Sequence, residues 1–232
     1  MKSILFLLAA ALPSLAQESA KPDSPKGLQA TYESISQVRV DVLMVSVPEA
    51  EAMKLIPILR DSATVDAGQK AILELIAQKK AVLIDWPEVV SHVGAQGVTE
   101  SIVEKRYQTE PQPPPPPNAV DGKFTAQSTF EVKNVGTTLQ VETLLSPNGK
   151  SVNINMAPQR VAFLRMDDQV AFKPKAGPPI EIKGPVFTNS KVTTGITLRD
   201  GERCLVYTGK NPDPGTHIDF FIVGVKIIPA IK

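Results

Sequence analysis

Nucleophiles, metal ligands and proton carriers are scarce in this chain, and their spacing suits no common chemistry. His92 and His217 are its only histidines and lie far apart, and Cys204 is its single cysteine. Zinc is held by closely spaced Cys and His pairs, and neither His-x-x-His nor Cys-x-x-Cys occurs. No Gly-x-x-x-x-Gly-Lys-Ser/Thr loop is present to cradle a nucleotide phosphate. Neither Gly-x-Ser-x-Gly nor Ser-x-x-Lys, common settings of an activated serine, is found. Asp167-Asp168 invites thoughts of calcium, yet it sits between Phe163-Leu164-Arg165 and Val170-Ala171-Phe172 and reads as a polar hairpin turn. One cysteine excludes a disulfide framework, and Cys204-Leu205-Val206-Tyr207 reads as a strand in which the thiol is a small buried hydrophobe. The chain therefore reads as non-enzymatic, with no catalytic group, no cofactor and no metal.

The first residues point to export. Met1-Lys2 is a short positive start, Ile4 to Leu12 is almost unbroken apolar sequence, and Ser14-Leu15-Ala16 offers a small-x-small cleavage site. That is the layout of a secretory signal peptide over residues 1–16, too short to serve as a permanent anchor. The whole chain carries 25 Lys+Arg against 24 Asp+Glu, so loss of Lys2 leaves 25 − 1 = 24 against 24. A protein of zero net charge lacks the basic footprint of non-specific nucleic-acid binding, and no nucleic-acid partner is expected. The expected location is the periplasm or the periplasmic side of the outer membrane.

The rest of the chain supplies scaffolding. Residues 17–36, rich in Ser, Pro, Lys and Ala, read as a flexible leader. Val38 to Val45 alternates and is β-branched, which predicts a strand ended by Pro48. A helix through Ala52, Leu55 and Ile56 should kink or stop at Pro57. The next helix has Asp66 as its cap, Gln69 three residues on as in a capping box, an apolar face of Ile72, Leu75 and Ile76, and Lys79-Lys80 at its C-terminal end. Strands are expected over Ala81 to Asp85 and Val98 to Tyr107. The run Pro113 to Pro117 favours extended polyproline II and marks residues 110–119 as a semi-rigid spacer.

After the prolines the pattern is almost purely β. Leu139, Val141, Thr143 and Leu145 line one side of a strand over Thr137 to Leu145, and Val152, Ile154 and Met156 alternate in the next. Pro147-Asn148-Gly149 between them predicts a tight hairpin, with Asn148 and Gly149 both at positive φ. Asp200-Gly201 predicts a second hairpin joining Thr193–Leu198 to Cys204–Thr208. Ile218 to Ile228 forms a closing apolar strand. The fold class is α+β, mainly antiparallel sheets with one or two helices in the first half.

Several segments, taken in order, resemble the core domain of the secretins of type II and III secretion and type IV pilus systems. Val38 to Val47 resembles the family's opening strand, and Leu73 to Tyr107, around Ala81-Val82-Leu83-Ile84-Asp85-Trp86-Pro87, its helix and following strands. Val135-Gly136-Thr137-Thr138-Leu139-Gln140-Val141 is similar to its Val-Gly-Thr-x-Leu-x-Val strand. Val192 to Glu202, with Asp200-Gly201, resembles its late strand and turn, and Phe220 to Pro229 its closing strand. Together these place a secretin-like β-rich domain over residues 37–229.

The chain departs from that family twice. The Val-Pro-x-Leu-Gly-x-Ile-Pro segment that secretins carry near the membrane-embedded lip is replaced by Gly209 to Asp219, with Asn211-Pro212-Asp213-Pro214-Gly215. Only the short leader precedes Val38 where ring-building domains would stand. The resemblance implies a structural or assembly component of a secretion or pilus apparatus. Its partners would be other envelope proteins, met by strand addition, and further copies of itself, with membrane contact only through the larger assembly. The other reading left open is a periplasmic β-rich module that binds a protein or glycan.

Overall fold

The structure, a computed structural model, describes residues 35–111, 128–172, 180–212 and 216–229. The signal peptide, all but the end of the leader and Pro113–Pro117 lie outside them. The elements in chain order are β1 (Ile35–Pro48), α1 (Glu49–Arg60), α2 (Val65–Ala77), β2 (Val82–Asp85), β3 (Glu88–His92), β4 (Gln96–Pro111) and β5 (Ser128–Leu145). There follow β6 (Ser151–Met156), β7 (Gln159–Phe172), β8 (Ile180–Lys191), β9 (Thr194–Arg199), β10 (Arg203–Lys210) and β11 (His217–Pro229). The α+β expectation holds: two helices in the first half and antiparallel strands elsewhere.

Two sheets form. In the first, β10, β11 and β1 lie side by side, and β2 and β3 share the far edge of β1. In the second, β5 is the spine. One edge of β5 pairs with β4 over almost its whole length, whereas the other is divided between β6 at Val141–Leu145 and β7 at Gly136–Thr138. Beyond those, β9 pairs with β6 and β8 with β7.

The strand period of two explains the layering. On β1, Val38, Val40, Val42 and Met44 face the second sheet, where Leu139, Val141, Leu145, Val152, Ile154 and Met156 meet them. The intervening Leu43, Val45 and Val47 face the helices, packing with Leu55, Leu59 and Ile72. β11 divides likewise, Phe221, Val223 and Val225 toward the sheet and Ile218, Phe220 and Ile222 toward the helices. A strand buried on both faces reads as a nearly continuous apolar run, which is why Val42 to Val47 and Phe220 to Val225 barely alternate.

Local expectations fail where tertiary contacts intervene. Helix α1 runs three residues past Pro57, because Leu59, buried at 1% exposure against the first sheet, secures its last turn. Asp66 lies inside α2 rather than capping it. Thr64 is the N-cap without a side-chain cap bond, Asp66 meets Arg203 at 3.2 Å, and Gln69 is buried instead of closing a box. Asp167-Asp168 is no turn: both lie within β7, and Asp167 accepts a bond from Arg165 at 2.7 Å. Strand β3 was not anticipated.

The two predicted hairpins also change. At Asn148-Gly149 only Gly149 has positive φ, at 67°. Asn148 serves through its side chain, whose Oδ1 accepts the Lys150 N–H at 2.9 Å. At Asp200-Gly201 no hairpin forms, since β9 pairs with β6 in one sheet and β10 with β11 in the other. The turn is a crossover between sheets.

Candidate functional site

The family-like residues occupy the place where the second sheet branches. Leu139 and Val141 are core residues, with exposures of 0% and 1%. Thr137 is buried, and its hydroxyl donates to the Asp85 carboxylate, tying the second sheet to the first. Gly136 has φ +138°, and a Cβ there would stand 2.0 Å from the Ser101 carbonyl oxygen across the β4–β5 ladder. Val135 pairs with Val103. Gly136 is also the last residue of β5 that pairs with β7, opposite Val161. Beyond it the β4–β5 pair and the β7–β8 pair run on as separate two-stranded ribbons. Asp200 and Gly201 stand apart from this branch, at the crossover. There Asp200 Oδ1 accepts the Ile227 N–H at 2.8 Å and Oδ2 the Lys226 ammonium at 2.9 Å. Those bonds, the backbone one foremost, hold the Asp200 carboxyl below the usual carboxylate range.

The ribbons are long. β4 has 16 residues and β5 has 18, roughly 55–60 Å of strand at ~3.4 Å per residue. The chain passes from β4 to its partner β5 across residues 112–127, which lie outside the described residues. A two-stranded ribbon has little apolar surface to bury and is marginal alone in water. Here Val103 is 72% exposed and Val132 55%, with Ile102, Phe130 and Met166 also open. The two ribbons touch through a small cluster. Phe187 lies 5.7 Å from Tyr107 and 6.0 Å from Phe163, and the Lys105 ammonium sits 3.2 Å from the Phe163 ring centre. Tyr107 donates to Glu131 at 3.0 Å, and that bond to a carboxylate pushes its phenol pKa up.

Charge is spread over both faces of the β4–β5 ribbon. Glu104 and Arg106 project to one side, and the cross-strand pair Lys105 and Lys133 to the other. A lipid-facing strand presents an unbroken apolar row, which neither face offers. Among the described residues no ion pair within the chain engages Glu100, Glu104 or Lys133.

The outer edges of β4 and β8 pair with no other strand among the described residues. Directions alternate through β4, β5, β7 and β8, so these two edges run oppositely. The Gly209 to Asp219 segment is a short connection from β10 to β11, and both ends of it lie in those paired strands. Cys204 is half-buried against the core, and burial pushes its thiol pKa up, as suits a packing residue. Among the described residues no three His, Cys, Asp or Glu gather as a metal centre requires.

Sequence reasoning missed the aromatic cluster and the ties between sheets. Phe130-Glu131-Val132-Lys133 alternates apolar with charged and carried the signal of a longer β5. Tyr107, Phe163 and Phe187 carried none, since only the fold brings them together.

No protein-family model matches this chain, and no curated protein is similar to it in sequence. Similar solved structures are secretins. The type IV competence pilus secretin PilQ of V. cholerae shares 8% identity at a TM-score of 0.43, over 84% of this chain and 61% of that one. InvG, secretin of the Salmonella SPI-1 type III secretion injectisome, shares 9% at 0.44, over 85% of this chain and 66% of its own. GspD, the type II secretion system secretin of E. coli K12, shares 10% at 0.44, over 85% of this chain. The chain spans only 51% of that GspD, so it is similar to part of a longer protein.

Proposed function

We propose that this chain is an exported, non-enzymatic structural component of a bacterial envelope secretion or pilus apparatus. Its copies join edge to edge through β4 and β8. One observation carries the reading: β4 and β8 are oppositely directed strands that pair with no further strand among the described residues, and their ribbons, which touch through Tyr107 and Phe187, expose Val103, Val132, Phe130 and Ile102. Unpaired edges and open apolar side chains are costly in water and are usually blunted or covered. Pairing with a neighbour supplies the missing hydrogen bonds and covers part of the apolar surface. The charges on both ribbon faces suit a wall in water or against protein, so the isolated protein is soluble and forms no pores.

Light scattering on the size-fractionated protein tests this. A mass several times the 25.0 kDa of the chain is expected, falling toward the monomer when Glu104→Pro removes an outward-facing donor from the middle of β4. A wild-type monomer at high micromolar concentration would exclude self-assembly and leave strand addition by a different envelope protein as the surviving form. Discrete conductance steps across planar bilayers would overturn the water-facing wall.

A further inference from the structure

The outward face of the second sheet, opposite the core, carries a cleft of about 580 Å³ where β4, β5, β6 and β9 run side by side. Register builds it. Gln96 pairs with Glu142, Glu142 with Asn155 and Asn155 with Gly195, so one row crosses four strands on a single face. Gln140 and Thr193 line the same cleft beside that row. All five polar side chains are open to solvent, and none hydrogen-bonds to another of the described residues. Elsewhere on the same sheet Asn153 is paired with Thr197 at 2.7 Å and Asn189 with Gln159 at 2.9 Å, whereas exposed Asn134 has no side-chain bond among the described residues. Gly195 leaves a notch at the end of the row.

The donor set selects the ligand. Among the described residues that line the cleft Glu142 is the only charged one, so phosphates and other polyanions meet a carboxylate there. Val141 and Met156 turn their side chains into the core, at 1% and 4% exposure, and the apolar side chains on this face, Val98 opposite Gln140 and Leu144 beside Glu142, flank the polar row. The planar amides donate and accept and the carboxylate accepts, from strands that fix their spacing, while the exposed side chains themselves are ordered on binding. That set matches adjacent hydroxyls and acetamido groups. From this juxtaposition we infer that the face binds an uncharged, hydroxyl-rich glycan of the amino-sugar type. This inference does not depend on the assembly reading.

Calorimetric titration of the purified full chain with chitotetraose tests it. Saturable binding is expected, weakened at least tenfold by Glu142→Ala and by Gln140→Ala with melting temperatures unchanged, because both residues are exposed. Gly195→Leu should fill the notch and weaken binding similarly. Co-sedimentation with purified cell-wall sacculi then separates wall glycan from soluble oligosaccharide as the source. Absence of saturable binding would overturn the inference, as would equal affinity in wild type and the Glu142→Ala/Gln140→Ala double variant. Binding of a trilysine peptide but not of chitotetraose would also overturn it, since Glu142 would then be acting as a simple counter-charge.

Discussion

Arg160 on β7 donates to Asp219 on β11 at 2.7 Å, bridging the two sheets with a carboxylate that is 1% exposed. Asn211 donates to the other oxygen of Asp219 at 3.2 Å, so the β10–β11 connection is held by the same group. Removing one member of a buried pair strands its partner, which typically costs 3–5 kcal/mol. Arg160 keeps 20% exposure and can recover some hydration, so Asp219→Ala should destabilise by about 3 kcal/mol. Asp219→Asn should cost less. Denaturant midpoints at constant slope check both, and a loss below about 1 kcal/mol in Asp219→Ala would mean that the sheets are joined by apolar packing alone.

Lys79 closes α2 in the left-handed region, with φ 59°. The Lys80 N–H donates to Leu75 O at 2.8 Å and the Lys79 N–H to Ile76 O at 2.9 Å, the bonding of a Schellman end. That position favours glycine, because a Cβ in the left-handed region costs roughly 1 kcal/mol. Lys79→Gly should therefore raise stability by about 0.5–1 kcal/mol, despite introducing the most flexible residue. A lowered melting temperature would show that the Lys79 side chain does something the bonds do not reveal.

Thr143 belongs to the inward row of β5 and is 0% exposed, yet its hydroxyl has no partner among the described residues. An unpaired buried hydroxyl carries a desolvation cost of about 1–3 kcal/mol. Thr143→Val keeps the shape and removes the polar atom, so a gain of about 1 kcal/mol is expected. A loss of similar size would mean that the hydroxyl finds a partner in solution.

Thr143 also shows how legible the fold was. Its alternation with Leu139, Val141 and Leu145 gave the inward face of β5 directly, because one half-buried face stamps a period of two on the sequence. Turns were read less well. Asp200-Gly201 has the composition of a hairpin, but composition sets local chain reversal and not the partner strand, and here the two flanking strands enter different sheets. Asn148 sits beside a glycine that takes the positive φ alone, so its expected backbone role passed to its side chain. The candidate interface was half visible: the apolar and charged alternation of β4 is in the sequence, whereas a free edge is a property of what does not pair with it.

Asp200 makes acid stability a test of the crossover. Its carboxyl is held below its ordinary value of 3.8 by the Ile227 N–H and then by Lys226. A depressed folded value means that the stabilisation is complete above the unfolded carboxylate range and disappears as pH falls through the folded value, under 3.8. Asp200→Asn should therefore shift the acid-unfolding midpoint upward and flatten that part of the curve, with the smallest difference from wild type at the lowest pH. An unchanged acid limb would place the titrating groups elsewhere. The side chain is 40% exposed, so solvent screening keeps the effect modest.

Gly136 and Gly201 both lie at positive φ inside family-like segments, and their surroundings separate their expected effects. At Gly201 an added Cβ meets nothing within 4 Å, so Gly201→Ala costs only the backbone strain of φ +79°, about 1 kcal/mol. At Gly136 the same atom would stand 2.0 Å from the Ser101 carbonyl oxygen and 2.9 Å from the Ile102 Cα, both backbone. Backbone in a paired ladder cannot step aside as a flexible side chain can. Gly136→Ala must therefore spread the β4–β5 ladder where β7 departs, at a cost of about 3 kcal/mol or more. The ribbon ends beyond that point should lose hydrogen-exchange protection before the core does, since a two-stranded ribbon has little else to hold it. On the assembly reading, Gly136→Ala also dissociates the oligomer while Gly201→Ala leaves it intact. Equal destabilisation by the two substitutions would mean that φ alone, rather than the close approach at the branch, dictates glycine at both positions.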